Sequence, residues 1–313
     1  MDRFEAMRTL VAAIDGGSLS AASRALGIPL ATVSRRVSDL EARLGTRLVV
    51  RTSRRLIPTE EGAPFIATAR RILEDLGEAE RAASGEYRAP RGELLVTAPI
   101  MFGKLHVAPI VHDFLAIYPD VTVRLVLSDA VVDLVENHVD VAVRIGNLPD
   151  SSLIARRVGQ VRWVVCASPD YLARHAAPEK PSDLSGHACI AFEGLQTYRQ
   201  WPFGIGGDAA SIAIRPRFSI NTADGVIDGA IKGLGVARIM SYQASVGVSE
   251  GRLVPILESD SPAPIPVHLV HSAQALQPLK LRAFMDFMIP RIERVLTRID
   301  QVFDRRHAEG RVG

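Results

Sequence analysis

The sequence predicts an α/β protein in three parts: a small all-α head with a two-stranded wing, one long helix, and a two-lobed remainder. Three observations predict this. At 313 residues the chain exceeds one ordinary core, because domains usually hold about 100–200 residues. Apolar residues recur at helical spacing through the first part, whereas strand-like and helix-like segments alternate from Leu94 onward. Charge is also unevenly placed. The first 56 residues hold ten arginines against five acids, and the rest hold 27 bases against 30 acids, so a net +2 divides into +5 and −3. Such an asymmetry points to a polyanion at one end.

In the head, Phe4, Met7, Leu10, Val11 and Ile14 mark an amphipathic helix over residues 2–15, ended by Gly16-Gly17. Ser18 suits the N-cap of a second helix that turns Leu19, Ala22 and Leu26 inward. Gly27 supplies a turn, and Pro29 fits the first position of a third helix. On that helix Leu30, Val33, Val37, Leu40 and Leu44 form the buried stripe, and Gly45 stops it. Helix, short turn, helix is the helix-turn-helix plan, whose second helix enters the major groove by its first turn. The outward residues Ala31, Thr32, Ser34, Arg35 and Ser38 are small or hydrogen-bonding. They permit close approach to base edges, or simply form a solvent face.

The next segment favours the first alternative. Arg47–Arg51 and Arg54–Pro58 are short β-compatible runs around Thr52-Ser53. Four arginines on so small a hairpin repel one another unless an anion lies against them; a DNA backbone or minor groove supplies one. The candidate contacts are therefore Ser18, Ser20, Pro29, Leu30, Ala31, Thr32, Ser34 and Arg35 on the helices and Arg51, Arg54 and Arg55 on the wing, with double-stranded DNA as partner.

Thr59-Glu60-Glu61 starts a further helix, whose apolar stripe from Phe65 and Ile66 runs to about Ala83. It has no domain of its own to bury against. Pairing with the same helix of a second subunit is one solution and packing on the chain's own C-terminal part the other. Pro64 near the fifth helical position is expected to loosen the first turn, and Tyr87–Gly92 forms a hinge.

Beyond the hinge the expected strands are Leu94–Thr97, Val121–Leu127, Val139–Ile145, Val161–Ala167, Ala188–Phe192, Ile212–Ile220, Gly235–Ile239 and Val267–His271. The expected helices are Phe102–Ile117, Val131–His138, Ala223–Lys232 and Leu279–Asp300. Alternation of this kind predicts parallel sheets covered by helices. It gives two lobes joined by two crossovers, a periplasmic-binding-protein-like clamshell. Ligands in such sheets sit at the carboxyl ends of strands. Thr97, Pro99, Ile100 and Met101 lie at one such end, and Thr222 and Ala223 at another. Each lies at a helix N-terminus, which suits a carboxylate. Ser128, Arg144 and Trp201 complete the candidate pocket, with an ion pair for Arg144 and a core position for Trp201 as the alternatives. Asp129 and Asp224 lie close enough in sequence to leave the ligand's charge open.

The expected domains are thus a winged helix-turn-helix over 1–58, a linker and dimerisation helix over 59–89, and an effector-binding domain over 90–313. Its first lobe spans about 90–161 and 268–300, its second about 162–267. No GxSxG, Walker, HExxH or CxxC pattern occurs, so neither an enzyme nor a metal or cofactor protein is expected. Cys166 falls in an apolar strand and suits a core position. Two cysteines make no disulfide framework, the N-terminus is no secretory signal, and no unbroken apolar run is long enough for a membrane span. A cytoplasmic protein with no membrane partner is expected. A solute-binding module whose head serves only assembly is the rival reading; the arginine wing opposes it.

The chain resembles the LysR-type transcriptional regulators. The resemblance rests on DGGSLSAAS, RALGIPLATVSRRVSDLEARLGTRL and TEEG in the first part and on LLVTAPIMFG, VDVAVRIG and SSLIARRVG in the second. It spans essentially the whole chain and implies DNA binding under the control of a small-molecule effector. It also implies dimers that assemble to tetramers or larger rings.

Overall fold

The computed structural model describes the chain except residues 1, 53–54, 84–88, 131–132, 135–136, 150–152, 194–198, 205–208, 274–276 and 310–313. It divides into two compact units, Met1–Ala89 and Pro90–Gly313.

The first unit comprises α1 (Arg3–Asp15), α2 (Leu19–Leu26), α3 (Leu30–Leu44), β1 (Val49–Arg51), β2 (Leu56–Pro58) and α4 (Gly62–Ala83). Helix α1 buries Ala6, Thr9, Leu10 and Ala13. The expected stripe shares only Leu10 with this face, and Phe4 is 45% exposed. Small side chains let the neighbouring helices approach α1 closely, so the smallest face rather than the most apolar one turns inward. Ser18 caps α2, accepting from the Ala21 N–H at 3.1 Å, and Gly27 adopts the left-handed conformation (φ 65°) at the turn. In α3 the core side chains are Val33, Val37 and Leu40. Leu30 and Leu44, expected in the stripe, lie at the helix ends, 47% and 43% exposed.

The wing is antiparallel, with Val49 opposite Pro58 and Arg51 opposite Leu56. Thr59 opens the next turn: its carbonyl accepts from Ala63 N–H at 3.0 Å and its Oγ1 from Gly62 N–H at 2.9 Å. Pro64 has no N–H to offer the Glu60 carbonyl, which explains why the regular helix begins only at Gly62. Gly62 itself is required by a close approach, since a Cβ there would lie 1.8 Å from the Leu48 carbonyl oxygen.

The second unit contains two five-stranded sheets. Along the chain come β3 (Gly92–Ala98), α5 (Ile100–Phe102), a π-type turn (Gly103–Val107), α6 (Ala108–Ile117), β4 (Val121–Leu127), β5 (Val141–Ile145) and β6 (Leu153–Val161). Then follow β7 (Trp163–Ala167), α7 (Pro169–Arg174), β8 (Cys189–Phe192), β9 (Gln200–Phe203), β10 (Ala210–Ala213), β11 (Pro216–Ile220) and α8 (Ala223–Ile231). The chain continues through β12 (Val236–Met240), α9 (Ser241–Ser249), β13 (Val254–Ile256), β14 (Ile265–Ser272) and α10 (Leu279–Glu309). The sheet orders are β4-β3-β5-β14-β6 and β11-β8-β12-β7-β13.

Both sheets are mixed, which corrects the expectation of parallel sheets. In the first, β14 runs antiparallel to β5 and β6; in the second, β7 runs antiparallel to β12 and β13. The reason is the crossovers. Strands that bring the chain across from the other lobe enter each sheet without a preceding helical return, so nothing forces them parallel. The expected strand at Val161–Ala167 is instead the end of β6 and all of β7, separated by Arg162 alone. The expected strand at Ile212–Ile220 divides into β10 and β11 before Pro216. Part of the expected helix at 131–138 lies outside the described residues; Leu134, Asn137 and His138 form turns.

Among the described residues, Ile100–Ile117 alone is long and apolar enough to cross a membrane, with mean hydropathy 1.4. Its Phe102, Val107, Ile110, Val111 and Phe114 are buried in the core of the first lobe.

Candidate nucleic-acid interface and ligand site

Hydrogen bonds hold the wing in place beside the helices. Glu41 of α3 accepts through Oε1 from the Leu48 N–H at 2.8 Å and the Val49 N–H at 3.2 Å. The Leu56 N–H donates to the Gly17 carbonyl at 2.8 Å. Thr59 Oγ1 donates to the Arg47 carbonyl at 2.7 Å. The turn of the wing is closed by Thr52, whose N–H and Oγ1 both donate to the Arg55 carbonyl, at 2.9 and 2.8 Å.

This scaffold brings six of the eleven predicted contacts to one open groove of about 570 Å³. Ser18, Ser20, Leu30, Ala31, Ser34 and Arg55 all line it. A second groove of about 390 Å³ runs alongside between α3 and the wing, with Ser34, Ser38 and Arg47 on its walls. Pro29, Thr32 and Arg35 are outside both linings. Pro29 is the N-cap of α3 and not its first residue, and it gives no side-chain cap. The first N–H groups of a helix have no intrahelical acceptor, so those of Leu30 and Ala31 present a positive dipole end suited to a phosphate. Arg54 and the side chain of Arg51 lie outside the described residues.

The arginines of the head divide by task. Arg35, Arg47 and Arg55 are exposed. Arg36, their neighbour in sequence, is half-buried and faces the core side, where Nη1 meets Glu5 Oε2 at 2.9 Å and Thr9 Oγ1 at 3.3 Å. Arg70 pairs with Asp15, which ties α4 to the end of α1.

In the second unit, Thr97, Pro99, Ile100, Met101 and Ser128 gather at the carboxyl ends of β3 and β4, where the Ser128 N–H donates to the Ala98 carbonyl at 3.0 Å. Thr97 is 3% exposed, and its Oγ1 is buried without a hydrogen-bond partner. The helix end beside it is not vacant, however. Asp129 Oδ1 accepts from the Ile100 N–H at 3.0 Å, so a carboxylate of the chain already sits where a ligand carboxylate was expected. Thr222 caps α8, accepting from the Gly225 N–H at 3.4 Å, with Ala223 as the first helical residue. Lys104 Nζ reaches Asp224 Oδ2 at 3.7 Å, an exposed ion pair between the two lobes.

Arg144 stands half-buried on β5 opposite His268 of β14 and already interacts within the protein; burial lowers its pKa. Trp201 is 4% exposed and packs with Val165, Ala191 and Phe203, which places it in a core and not on a pocket wall. Cys166 is fully buried, and desolvation pushes its thiol up to about 12, as a core position requires.

Sequence reasoning missed an aromatic junction between the lobes. Phe102 lies 5.1 Å edge-on from both His106 and Tyr242, and His106 lies 5.9 Å from Tyr242. His106 Nε2 is buried without a partner, and desolvation lowers its pKa to about 4. Burial raises the Tyr242 hydroxyl, and the Asp129 charge raises it further. The one available signal was the i, i+4 spacing of Phe102 and His106; Tyr242 is 136 residues away from His106 in sequence. Among the described residues no group of three or more His, Cys, Asp and Glu is placed to hold a metal.

Residues 4–63 match the family model for the bacterial regulatory helix-turn-helix protein, lysR family, and residues 88–292 match the LysR substrate binding domain. The HTH-type transcriptional regulator CrgA of Neisseria meningitidis serogroup C is 32% identical over 286 residues, covering 91% of this chain and 95% of that protein. The solved structure of CrgA, a LysR-type transcriptional regulator from Neisseria meningitidis, aligns with a TM-score of 0.60 at 31% identity over 92% of this chain and 98% of that one. The full-length structure of the Vibrio cholerae virulence activator AphB, a member of the LTTR protein family, aligns with a TM-score of 0.59 at 29% identity, covering 92% and 99%.

Proposed function

The chain belongs to the LysR family of DNA-binding transcriptional regulators and is not an enzyme; from that premise we propose that the first turn of α3 and the wing arginines form its DNA-reading face. Ser34, Arg35 and the N–H groups of Leu30 and Ala31 approach one groove of the duplex, while Arg51, Arg54 and Arg55 hold phosphates or the minor groove. The observation that carries this reading is the shared groove, in which Ser18, Ser20, Leu30, Ala31, Ser34 and Arg55 converge from three separate segments. The domain limits proposed are a DNA-binding head over 1–58, a linker over 59–89 and an effector unit over 90–313.

The same proposal makes the protein cytoplasmic and at least a homodimer, with α4 pairing against the α4 of a second subunit and tetramers built on that pair. Two heads then read a dyad-symmetric site, with half-sites about one helical turn apart or a multiple of it. A small carboxylate-like effector binds in the cleft between the lobes, with the unpaired Thr97 hydroxyl as one donor. The effector shifts the placement of the heads by favouring one closure state, which requires different affinities for the two states.

Gel retardation of the DNA upstream of the protein's own gene tests the reading. Retardation is expected to weaken on the order of 10³-fold over a fourfold rise in salt, and to be lost when Arg54 and Arg55 are both replaced by Ala. Salt-insensitive binding, or none, favours the rival solute-binding module. For the effector site, Thr97→Val and Thr222→Val are expected to reduce the thermal shift given by any carboxylate that binds; unchanged shifts place the site elsewhere.

A further inference from the structure

The central strand of the second lobe carries a charge that no described residue of the lobe neutralises. Arg238 lies on β12 opposite Val165 of β7 and is only 7% exposed. Its Nε and Nη2 are buried and meet no hydrogen-bond acceptor. The guanidinium stacks over the Trp163 ring, with its carbon 4.1 Å from the ring centroid. Burial without a counter-charge pulls its pKa down to about 10. Among the described residues no carboxylate pairs with it. A ring face returns only part of what a cation loses on leaving water.

The guanidinium lies toward one edge of its sheet. Strands β8, β11 and β12 run parallel, so their carboxyl ends share one edge, the edge at which α/β sheets bind ligands. Thr222 follows β11 there. Trp163 opens β7 at the same edge, paired with Met240 at the end of β12. Arg162, the crossover between the lobes, is held to this edge by the Ser241 N–H, which donates to its carbonyl at 2.8 Å. Side chains alternate along a strand. Ala237 and Ile239 share a core with Val226 and Ala230, whereas Val236 packs with Val165 and Trp201. Arg238 therefore lies on the Val236 face, apart from α8.

The two unpaired donors are also the right pair. Nε–H and Nη2–H form the side-on fork of a guanidinium, which matches both oxygens of a carboxylate. Two of the anion-binding candidates named from the sequence are already engaged: Asp129 fills the N-terminus of α5, and Arg144 has a partner. We propose that Arg238, backed by the Trp163 ring, is the anion-recognising group of the effector site, taking the carboxylate of a small organic acid through Nε and Nη2. This assignment rests on the reading of the two lobes as an effector-binding unit.

Calorimetric titration of the full chain with acetate, succinate and benzoate tests it, with Arg238→Gln, Arg238→Met and Arg238→Lys as variants. At least one acid is expected to bind saturably. Its affinity is expected to fall tenfold or more in the Gln and Met variants, and to fall in the Lys variant too, which keeps the charge and loses the fork. Without ligand, Arg238→Met is expected to melt at or above the wild-type temperature, because it removes an unpaired buried charge. No saturable binding by any of the three acids, unchanged affinity in Arg238→Gln, or melting of both neutral variants well below wild type each overturns the assignment. DNA retardation on the same preparations separates the two claims. Intact DNA binding without an anion response refutes Arg238 alone, whereas absent DNA binding strikes the regulator reading beneath it.

Discussion

Replacing Glu41 with Ala removes the acceptor that seats the wing on α3. Glu41 Oε1 takes the Leu48 N–H at 2.8 Å and the Val49 N–H at 3.2 Å, both partly buried. A hydrogen bond to a charged group contributes about 1.5–3 kcal/mol. Two donors share one oxygen here, so the local loss is about 2–3 kcal/mol and not the sum of two full bonds. That makes the wing open on the order of 30- to 150-fold more often, at 1.4 kcal/mol per tenfold. Hydrogen exchange read by mass spectrometry on peptides spanning Leu48 and Val49 measures this directly. Glu41→Gln keeps an oxygen acceptor without the charge, and its exchange is expected to accelerate about tenfold. Acceleration below about threefold in both variants would show that Leu56, Gly17 and Thr59 hold the wing without Glu41. If the wing also positions phosphate contacts, Glu41→Ala weakens DNA retardation although Glu41 itself repels phosphate.

Three further outcomes follow from the geometry. Unfolded His106 binds a proton near 6.5 and the folded one only near about 4, so the unfolded chain takes up more protons between these values. Its contribution to stability is complete above the upper value and declines as pH falls through that window, by about 2 kcal/mol at pH 5; thermal melting of wild type against His106→Phe at pH 7 and 5 reads the difference, and an equal fall in both removes His106 as the cause. Gly62→Ala would set a Cβ 1.8 Å from the Leu48 carbonyl oxygen, so backbone must move, and a loss of at least about 2 kcal/mol is expected in the melting of the first unit; unchanged melting contradicts it. Arg36→Met breaks the partly buried pair with Glu5 and the contact with Thr9 at about 1–2 kcal/mol, measurable by the same melting, whereas exposed Arg35→Met leaves stability within about 0.5 kcal/mol.

The head was legible because its signals are local. Ser18, Gly27 and Gly45 each act within a few residues, so α2 and α3 begin and end where caps and turns require. The buried face of α1 was not legible, because its partners choose small side chains over large ones and that choice depends on packing. Helix α9 gave no amphipathic signal, since Ser241, Tyr242, Ala244, Ser245, Gly247 and Val248 bury most of its circumference. The candidate ligand site was legible in part. Thr97 and Thr222 follow from strand-to-helix order, which is local. Asp129 reaching Ile100, Tyr242 reaching Phe102 and Arg238 stacking on Trp163 span 29, 140 and 75 positions, and no periodicity encodes such pairings.

In the proposed function the α3 turn and the wing meet DNA phosphates. The most direct measurement is the slope of log affinity against log salt for the full chain on its upstream DNA, compared with Arg55→Ala, whose side chain lines the shared groove. Each phosphate contact contributes about 0.9 to that slope, so Arg55→Ala should bind more weakly with a slope shallower by about one. A flat slope in the wild type, or the same slope in both proteins, would show that these groups do not contact phosphates.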